Sequence, residues 1–265
     1  MFWYDGELME TETISVKVTE PGLIYGATVF TTLRVYQKSL DHRLTQWSTH
    51  CHRLECSLKT FGWTLPNWQQ LRQEAEVLIY YYPVLRLTVF PDGKEWITGR
   101  FLPKDLEQSQ QQGIKGWVAN TSLYKRSLAN YKTGNYLGTF LALQKAEKLG
   151  FKETILVDNQ GNWLETSTGN LWGYKQGEWY TPPIKEAILP GIGQSQLLSW
   201  LNHQQIPINQ TQWNLDLIKS LEIIAYGNSV VEIIPFTLIE MEGKSLNLNT
   251  SYSNLKQLQD YYRSN

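Results

Sequence analysis

Cysteine is scarce in this sequence, which carries two among 265 residues, Cys51 and Cys56. Two cysteines are too few for the disulfide framework that stabilises small secreted proteins. The N-terminal stretch MFWYDGELME lacks the basic start and apolar run of a signal peptide. No segment approaches the roughly 18 apolar residues of a membrane span. Together these absences predict a cytoplasmic protein that does not enter a membrane.

An excess of charge of either sign is also missing. Lys and Arg number 24 against 25 for Asp and Glu, so the formal net charge is −1. Non-specific nucleic-acid binding requires a basic field, and an acidic disordered tail requires the opposite excess. The balance therefore predicts no nucleic-acid partner and no acidic tail, while a hydrophobic content of 42% allows a sizeable core.

Several common catalytic motifs are absent as well, including the P-loop, GxGxxG, GxSxG and HExxH patterns. His50, Cys51, His52 and Cys56 form a cluster of metal-binding residue types, but their spacing fits no zinc pattern. Cys51 also lies on the apolar stripe of an amphipathic helix predicted over 47–61. We predict ordinary packing for this cluster and no metal site.

The distribution of helix, strand and turn signals predicts an α+β fold in two domains. Short strands around turns, with helices near 47–61 and 68–81, predict a small α+β N-terminal domain over 1–117. A polar stretch from about Gln108 to Asn130 predicts a junction, which we place at 118–128. Residues 129–265 are predicted to form a larger, strand-rich domain with outer helices.

Three features of the second half suggest chemistry together, although each alone has an ordinary structural explanation. Lys132 precedes a predicted helix, whose N-terminal field, with burial, would favour the neutral amine needed for a covalent bond to a carbonyl carbon. Glu165 ends an apolar strand, and the turn before the helix at 190–193 offers backbone N–H groups to an anion. Pyridoxal phosphate requires these three partners: an amine, a carboxylate for its ring nitrogen and a phosphate cup.

Five segments resemble the class IV aminotransferases, the pyridoxal-phosphate enzymes of fold type IV. They are PGLIYGATVFTTLRVY, HCHRL, YKTGNYLGTFLALQKAEKLGFKETILVDNQGNWLETSTGNLW, ILPGIGQSQLL and NSVVEIIPF. The resemblance covers nearly the whole chain. It implies the two-domain α+β fold of that family, pyridoxal 5'-phosphate as cofactor, a small-molecule substrate and a homodimer.

The resemblance also implies a role for each matching residue. Lys132 would carry the cofactor covalently and then move protons, and Glu165 would keep the ring nitrogen protonated. Tyr136 corresponds to a tyrosine near the cofactor's 3-oxygen, although it stands one residue closer to the lysine than in branched-chain enzymes. The residues implied in holding the phosphate are Arg53, Ile192, Gly193, Ser229 and Val230. The residues implied in contacting the substrate are Tyr25, Thr32, Arg34, Arg86 and Asn228.

Two departures from expectation concern the phosphate site. Many family members have Thr-Arg where this chain has Gly193-Gln194, so a hydroxyl contact worth about 1.5–3 kcal/mol would be lost and cofactor affinity lowered. Arg53 projects opposite the apolar stripe of its helix. Amphipathicity therefore predicts a solvent-facing side chain, whereas the resemblance implies a place at the cofactor.

The segment FTTLRV and the Asn228-Ser229 pair are similar to the lyases that convert 4-amino-4-deoxychorismate to 4-aminobenzoate and pyruvate, a folate precursor step. Glu232 is instead similar to the transaminases. The lyase is favoured, with an aminotransferase for branched-chain or D-amino acids as the alternative and an inactive ligand-binding member as a further one. A substrate with two carboxylates needs cationic partners, for which Arg34 is the first candidate, Arg86 the second and Arg100 the weakest.

Overall fold

A computed structural model describes residues 1–184, 187–248 and 253–263, without the side chains of Ser122 and Ser253. Contacts divide the chain into two units. The first comprises residues 1–103 and 131–136, and the second comprises residues 104–130 and 137–265. This division differs from the predicted boundaries, because 104–117 packs with the second unit and the short segment around Lys132 packs with the first.

The first unit contains a five-stranded antiparallel sheet in the order β2-β1-β5-β4-β3. Its strands are β1 (Phe2–Tyr4), β2 (Glu7–Met9), β3 (Val29–Arg34), β4 (Val84–Val89) and β5 (Glu95–Arg100). The Asp5-Gly6 dipeptide is a hairpin signal in the sequence, and the structure confirms it: β1 and β2 pair across these two residues, which adopt the positive φ of a tight turn, 51° and 79°.

The helices of the first unit are α1 (Pro21–Ile24), α2 (Trp47–Phe61) and α3 (Trp68–Leu78). The predicted bounds of α2 are confirmed, and the helix ends at Gly62 with a φ of 68°. The side chain of Asn67 caps α3 by accepting hydrogen bonds from Gln69 N and Gln70 N. This helix ends at Leu78 rather than at the predicted residue 81. Both helices bury leucines against the sheet in one apolar cluster that includes Leu33, Leu58 and Leu71.

The second unit contains a nine-stranded mixed sheet whose main path runs β11-β10-β9-β12-β13-β6-β7-β8, with β14 added on β13. Its strands are β6 (Ile114–Ala119), β7 (Glu153–Val157), β8 (Trp163–Thr166), β9 (Asn170–Lys175), β10 (Glu178–Thr181), β11 (Ile208–Gln210), β12 (Ile223–Asn228), β13 (Glu232–Met241) and β14 (Lys244–Asn247). β6 pairs in parallel with both β7 and β13. Because β6 belongs to this sheet, the predicted boundary at residue 117 falls inside a strand of the second unit.

Helices flank the sheet of the second unit, as predicted. They are α4 (Leu106–Gln112), α5 (Leu137–Lys148), α6 (Ile192–His203), α7 (Leu215–Ser220) and α8 (Ser253–Arg263). The polar stretch assigned to a junction contains β6 and most of α4, a helix that exposes Gln108, Gln111 and Gln112 and buries Leu106 and Ser109. No helix in the described part of the chain is long and apolar enough to cross a membrane.

Candidate active site

The segment that carries Lys132 is held by β3 through backbone hydrogen bonds. Phe30 N donates to the carbonyl oxygen of Lys132 over 2.8 Å, and Gly134 N donates to the carbonyl oxygen of Thr28 over 2.8 Å. The predicted helix begins only at Leu137. A helix field falls off within its first turn, so the expected effect of a helix N-terminus on the Lys132 amine has no basis in this structure.

Aromatic rings surround the side chain of Lys132. Its Nζ lies 4.8 Å from the centre of the Phe30 ring and 5.5 Å from that of Tyr136, and the two rings meet edge to face at 5.8 Å. The Arg86 guanidinium lies over the same Phe30 ring, 3.7 Å from its centre. The structure therefore brings together three residues that the resemblance implies, Lys132, Tyr136 and Arg86, around Phe30.

The three arginines named as substrate candidates share one face of the first sheet. Thr32 pairs with Arg86, and Arg34 pairs with Val84, which pairs in turn with Arg100. Paired residues, and residues two apart on one strand, point to the same side of a sheet. One face of the sheet therefore holds Phe30, Thr32 and the three arginines. The Phe30 ring on this face is the one that Lys132 Nζ contacts.

On this face, the charge of Arg86 is destabilised by its surroundings. Burial lowers the pKa of Arg86, and the neighbouring charge of Arg100 lowers it further. Neither Arg86 nor Arg100 forms an ion pair with any residue in the part of the chain that the structure describes. A bound anion would relieve the repulsion between these two cations.

Arg53 is half-buried on α2, contrary to its predicted exposure to solvent. Its Nη2 donates to Thr31 Oγ1 over 2.7 Å, and Thr31 Oγ1 also contacts His50 Nδ1 at 2.6 Å. Amphipathicity failed here because β3 offers a buried hydroxyl to the polar side of the helix. Tyr25, by contrast, ends α1 with its side chain 75% exposed, so a substrate contact for it stays a prediction.

In the second unit, Glu165 is a buried carboxylate on β8. Its Oε1 forms an ion pair with Arg126 Nη1, and its Oε2 accepts a hydrogen bond from Leu189 N over 3.1 Å. Glu165 and Arg126 border a cavity of about 240 Å³ whose walls include Leu156 and Leu164. The sequence reasoning missed Arg126 because a basic residue in a polar stretch is typical of a solvated loop.

Three loops of the second unit pack closely, and glycine is required at two of the positions where they meet. A Cβ on Gly169 would lie 2.4 Å from the carbonyl oxygen of Gly227, and one on Gly191 would lie 1.9 Å from Asn170 Oδ1. A Cβ on Gly193 would lie 3.3 Å from the carbonyl carbon of Asn228, which is tight but tolerable. The loops that follow β8, β12 and residue 188 therefore form one cluster, here called the three-loop cluster (166–170, 189–193 and 227–231).

Asn228 organises its part of the three-loop cluster. Its Oδ1 accepts hydrogen bonds from Val230 N over 2.8 Å and from Val231 N over 3.0 Å, and its Nδ2 donates to the carbonyl oxygen of Thr168 over 3.1 Å. The predicted phosphate residues Ser229 and Val230 are thus fixed in one turn beside Gly193. The amide of Asn228 supports this turn, and its predicted substrate contact stays a prediction.

The donors in each unit fit pyridoxal phosphate. The Lys132 amine lies among aromatic rings, as a covalent carrier of the cofactor would, and Arg53 supplies a second cation in the same unit. Glu165 is a buried carboxylate, the type of group that a protonated ring nitrogen needs as its partner, and it is held by Arg126 and by Leu189 N. The N-terminus of α6 at Ile192 and the turn at Ser229 offer the backbone N–H groups that a phosphate needs. The described residues contain no cluster of three or more His, Cys, Asp or Glu able to hold a metal ion.

Comparison with known proteins agrees with this chemistry. The sequence model of the amino-transferase class IV family matches residues 28–239. The branched-chain-amino-acid aminotransferase of Pseudomonas aeruginosa is 23% identical, over 99% of this chain and 91% of that protein. The aminodeoxychorismate lyase of Vibrio harveyi is 22% identical, over 89% of this chain and 90% of that protein.

Two solved structures have the same fold. The 4-amino-4-deoxychorismate lyase from Pseudomonas aeruginosa superposes with a TM-score of 0.84 at 22% identity, covering 100% of this chain and 99% of that one. The branched-chain aminotransferase from Thermoproteus uzoniensis superposes with a TM-score of 0.81 at 22% identity, covering 99% and 93%.

The chain belongs to the aminotransferase class IV family. It has the α+β architecture of fold type IV, as predicted, and its cofactor is pyridoxal phosphate. Both lyases and aminotransferases occur among its relatives, so membership defines a pyridoxal-phosphate enzyme without fixing its reaction.

Proposed function

We propose that this enzyme is a 4-amino-4-deoxychorismate lyase, which splits its substrate into 4-aminobenzoate and pyruvate. The observation that carries the proposal is the shared sheet face of Arg34, Arg86 and Arg100. The substrate of a lyase carries two carboxylates, and Arg86 lies on the same Phe30 ring as the Lys132 amine. A dianion bound to these arginines would therefore stand within reach of the amine.

Bound pyridoxal phosphate supplies the electron sink for such a cleavage. Lys132 Nζ would take the proton from the ring carbon that bears the substrate's amine. The enolpyruvyl group would then leave from the neighbouring carbon with its oxygen as an enolate, which takes up a proton to become pyruvate, while the ring becomes aromatic. Glu165 would hold the cofactor's ring nitrogen in its protonated form, and Arg126 would hold Glu165.

The phosphate would be held by Arg53, by the backbone at Ile192 and Gly193, and by the turn of Ser229 and Val230. The hydrogen bonds that Val230 N and Val231 N donate to Asn228 Oδ1 support this assignment, because they fix the turn, and with it the position of Ser229, before any ligand binds. Thr32 shares the sheet face of the arginines, which supports its proposed contact with the substrate.

The experiment that tests the lyase is release of 4-aminobenzoate and pyruvate from 4-amino-4-deoxychorismate by the purified enzyme. Lys132→Ala should abolish release, whereas Lys145→Ala, at an exposed position on α5, should leave it unchanged. Borohydride should fix the cofactor's chromophore to the peptide that contains Lys132. A protein that stays colourless with added pyridoxal phosphate would instead be an inactive member of the fold.

An aminotransferase for branched-chain or D-amino acids is the second candidate. Glu232 stands where transaminases usually have a glutamate. Its φ is 61°, in the left-handed region that few non-glycine residues adopt. Its carboxylate accepts a hydrogen bond from Gln110 Nε2 over 3.0 Å. Amino transfer from D-alanine or a branched-chain amino acid, without release of 4-aminobenzoate, would select this candidate over the lyase.

The proposed enzyme is a homodimer, as the resemblance implies. Leu123, Leu137 and Phe140 support this, because each is more than half exposed and α5 packs against the short helix that contains Leu123. Sedimentation of the purified protein should give twice the mass of one chain. A cytoplasmic location likewise stays a prediction.

A further inference from the structure

Thr31 on β3 connects two side chains of α2. It is fully buried, and its Oγ1 lies 2.7 Å from Arg53 Nη2 and 2.6 Å from Nδ1 of His50, which is 1% exposed. Neither Thr31 nor His50 has a role in the cofactor chemistry described above. Thr31 nevertheless contacts Arg53, the proposed phosphate ligand, and His50 contacts Thr31.

The donor inventory fixes one hydrogen bond of this triad. A guanidinium only donates, so Thr31 Oγ1 accepts from Arg53. A hydroxyl oxygen has a second lone pair as well as its own proton, so neutral His50 can either accept the Thr31 proton at Nδ1 or donate from Nδ1 to Thr31 Oγ1. Both arrangements fix the hydroxyl, and in both the ring is neutral. Burial, followed by the charges of Arg53 and Lys132, lowers the pKa of His50 and agrees with this assignment.

We propose that Thr31 and His50 are positioning residues that fix the Arg53 guanidinium for binding of the cofactor's phosphate. The proposal rests on the proposed function, in which Arg53 contacts that phosphate. A free arginine side chain loses considerable rotamer freedom when it grips an anion. The Thr31 hydroxyl, which the His50 imidazole orients in turn, restricts the guanidinium before the phosphate binds. The entropy lost by the Arg53 side chain on binding is therefore smaller.

The test of this role compares two affinities of the full-length apoenzyme, one for pyridoxal phosphate and one for pyridoxal, which lacks the phosphate. Thr31→Val removes the hydroxyl at nearly constant volume, and Thr31→Ser keeps it. His50→Leu removes the polar partner of the Thr31 hydroxyl, and His50→Asn keeps an amide near the position of Nδ1. Thr45→Val is the matched control, because Thr45 is also fully buried and its hydroxyl bridges Tyr36 N and the carbonyl oxygen of Ser39 elsewhere in the unit.

We expect Thr31→Val and His50→Leu to weaken binding of pyridoxal phosphate roughly tenfold or more, while binding of pyridoxal changes less than twofold. Thr31→Ser and His50→Asn should recover most of the loss, and Thr45→Val should alter neither ligand. Equal weakening for both ligands would overturn the proposal.

Arg53→Met separates a failure of this proposal from a failure of the proposed function. If Arg53→Met loses the preference for the phosphorylated ligand and Thr31→Val keeps it, the positioning role is overturned while the phosphate contact stands. If Arg53→Met itself keeps the preference, Arg53 does not hold the phosphate and both proposals fail at that residue. A wild-type protein that binds neither ligand would remove the proposed function and the positioning role together.

Discussion

The guanidinium of Arg126 and the carboxylate of Glu165 form an ion pair that is almost entirely shielded from solvent, with the two side chains 7% and 5% exposed. A buried ion pair adds little net stability but is costly to break, because one charge is left behind in a low-dielectric site. The pair therefore places a permanent cation beside Glu165 whether or not a cofactor is bound. An ionised Glu165 is the form that can hold a protonated ring nitrogen.

Replacing Arg126 with methionine should lower the free energy of unfolding by about 3–5 kcal/mol, because Glu165 would be buried without its partner. The double variant Arg126→Met, Glu165→Gln should recover part of this loss. Urea denaturation of the apoenzyme measures both. Arg72→Met is the control, since the exposed pairs of Arg72 with Asp41 and Glu76 should contribute about 1 kcal/mol or less. Equal losses for the two arginine variants would show that the buried pair is unimportant.

Alanine should be tolerated at Gly193 but not at Gly191. A Cβ at 191 would overlap Asn170 Oδ1, and Asn170 is itself held by its hydrogen bond to the carbonyl oxygen of Leu189 over 3.0 Å. Neither Gly191, with a φ of −72°, nor Gly193 adopts a positive φ, so space alone separates the two variants. Thermal unfolding and cofactor titration should show a large loss for Gly191→Ala and a small one for Gly193→Ala. The reverse order would contradict the packing of the three-loop cluster.

Asn228→Ala should destabilise the protein by about 1–3 kcal/mol, because the N–H groups of Val230 and Val231 lose their acceptor. Asn228→Asp keeps the acceptor and should recover most of the stability. Chemical denaturation compares the two variants, with the exposed Asn209→Ala expected within about 0.5 kcal/mol of wild type. If Asn228→Asp is stable yet fails to release 4-aminobenzoate, the amide of Asn228 also contacts the substrate.

Two buried carboxyl groups in the first unit should make stability depend on pH. Burial raises the pKa of Glu74 to about 7, and Glu95 adds to the shift while its own pKa is raised mainly by burial. Between the ordinary value of 4.5 and about 7, the unfolded chain loses the Glu74 proton while the folded protein keeps it. The free energy of unfolding should therefore fall as the pH rises through this range and level off above it.

Glu74→Gln isolates this contribution, because the amide stays neutral at every pH. We expect the variant to show a shallower decline in the free energy of unfolding between pH 4.5 and 7, with the residual slope due partly to Glu95. Urea denaturation across this range provides the measurement. Glu7→Gln, at an exposed position on β2, should retain the wild-type slope. An unchanged slope in Glu74→Gln would mean that Glu74 ionises normally in the folded protein.

Sequence patterns were reliable where one local signal decided the structure. The apolar stripe of the 47–61 segment predicted α2, and Asp5-Gly6 predicted the first hairpin. Patterns failed where distant partners decided. The strand β6 was hidden in a polar stretch because its partners, β7 and β13, lie far along the chain.

The candidate site shows the same contrast. Lys132 and Glu165 could be named from the sequence because their residue types and flanking turns suggest cofactor chemistry. Arg126 and Thr31 could not be found in this way, since their importance comes from what they contact. In the sequence, Arg126 is an ordinary basic residue in a polar stretch and Thr31 is an ordinary β-branched residue in a strand. Only the structure shows that Arg126 pairs with Glu165 and that the Thr31 hydroxyl accepts a hydrogen bond from Arg53.

The segment 131–136 packs with the first unit although the chain on both sides of it belongs to the second. Cutting the polypeptide between 103 and 104 would therefore leave Lys132 on one fragment and β3, its hydrogen-bonding partner, on the other. The fragment that carries the lysine would lack the strand that holds it, and the fragment with the strand would lack the amine. Such a split would make the cofactor's yellow colour a reporter of reassembly, visible only when both pieces are present in one tube.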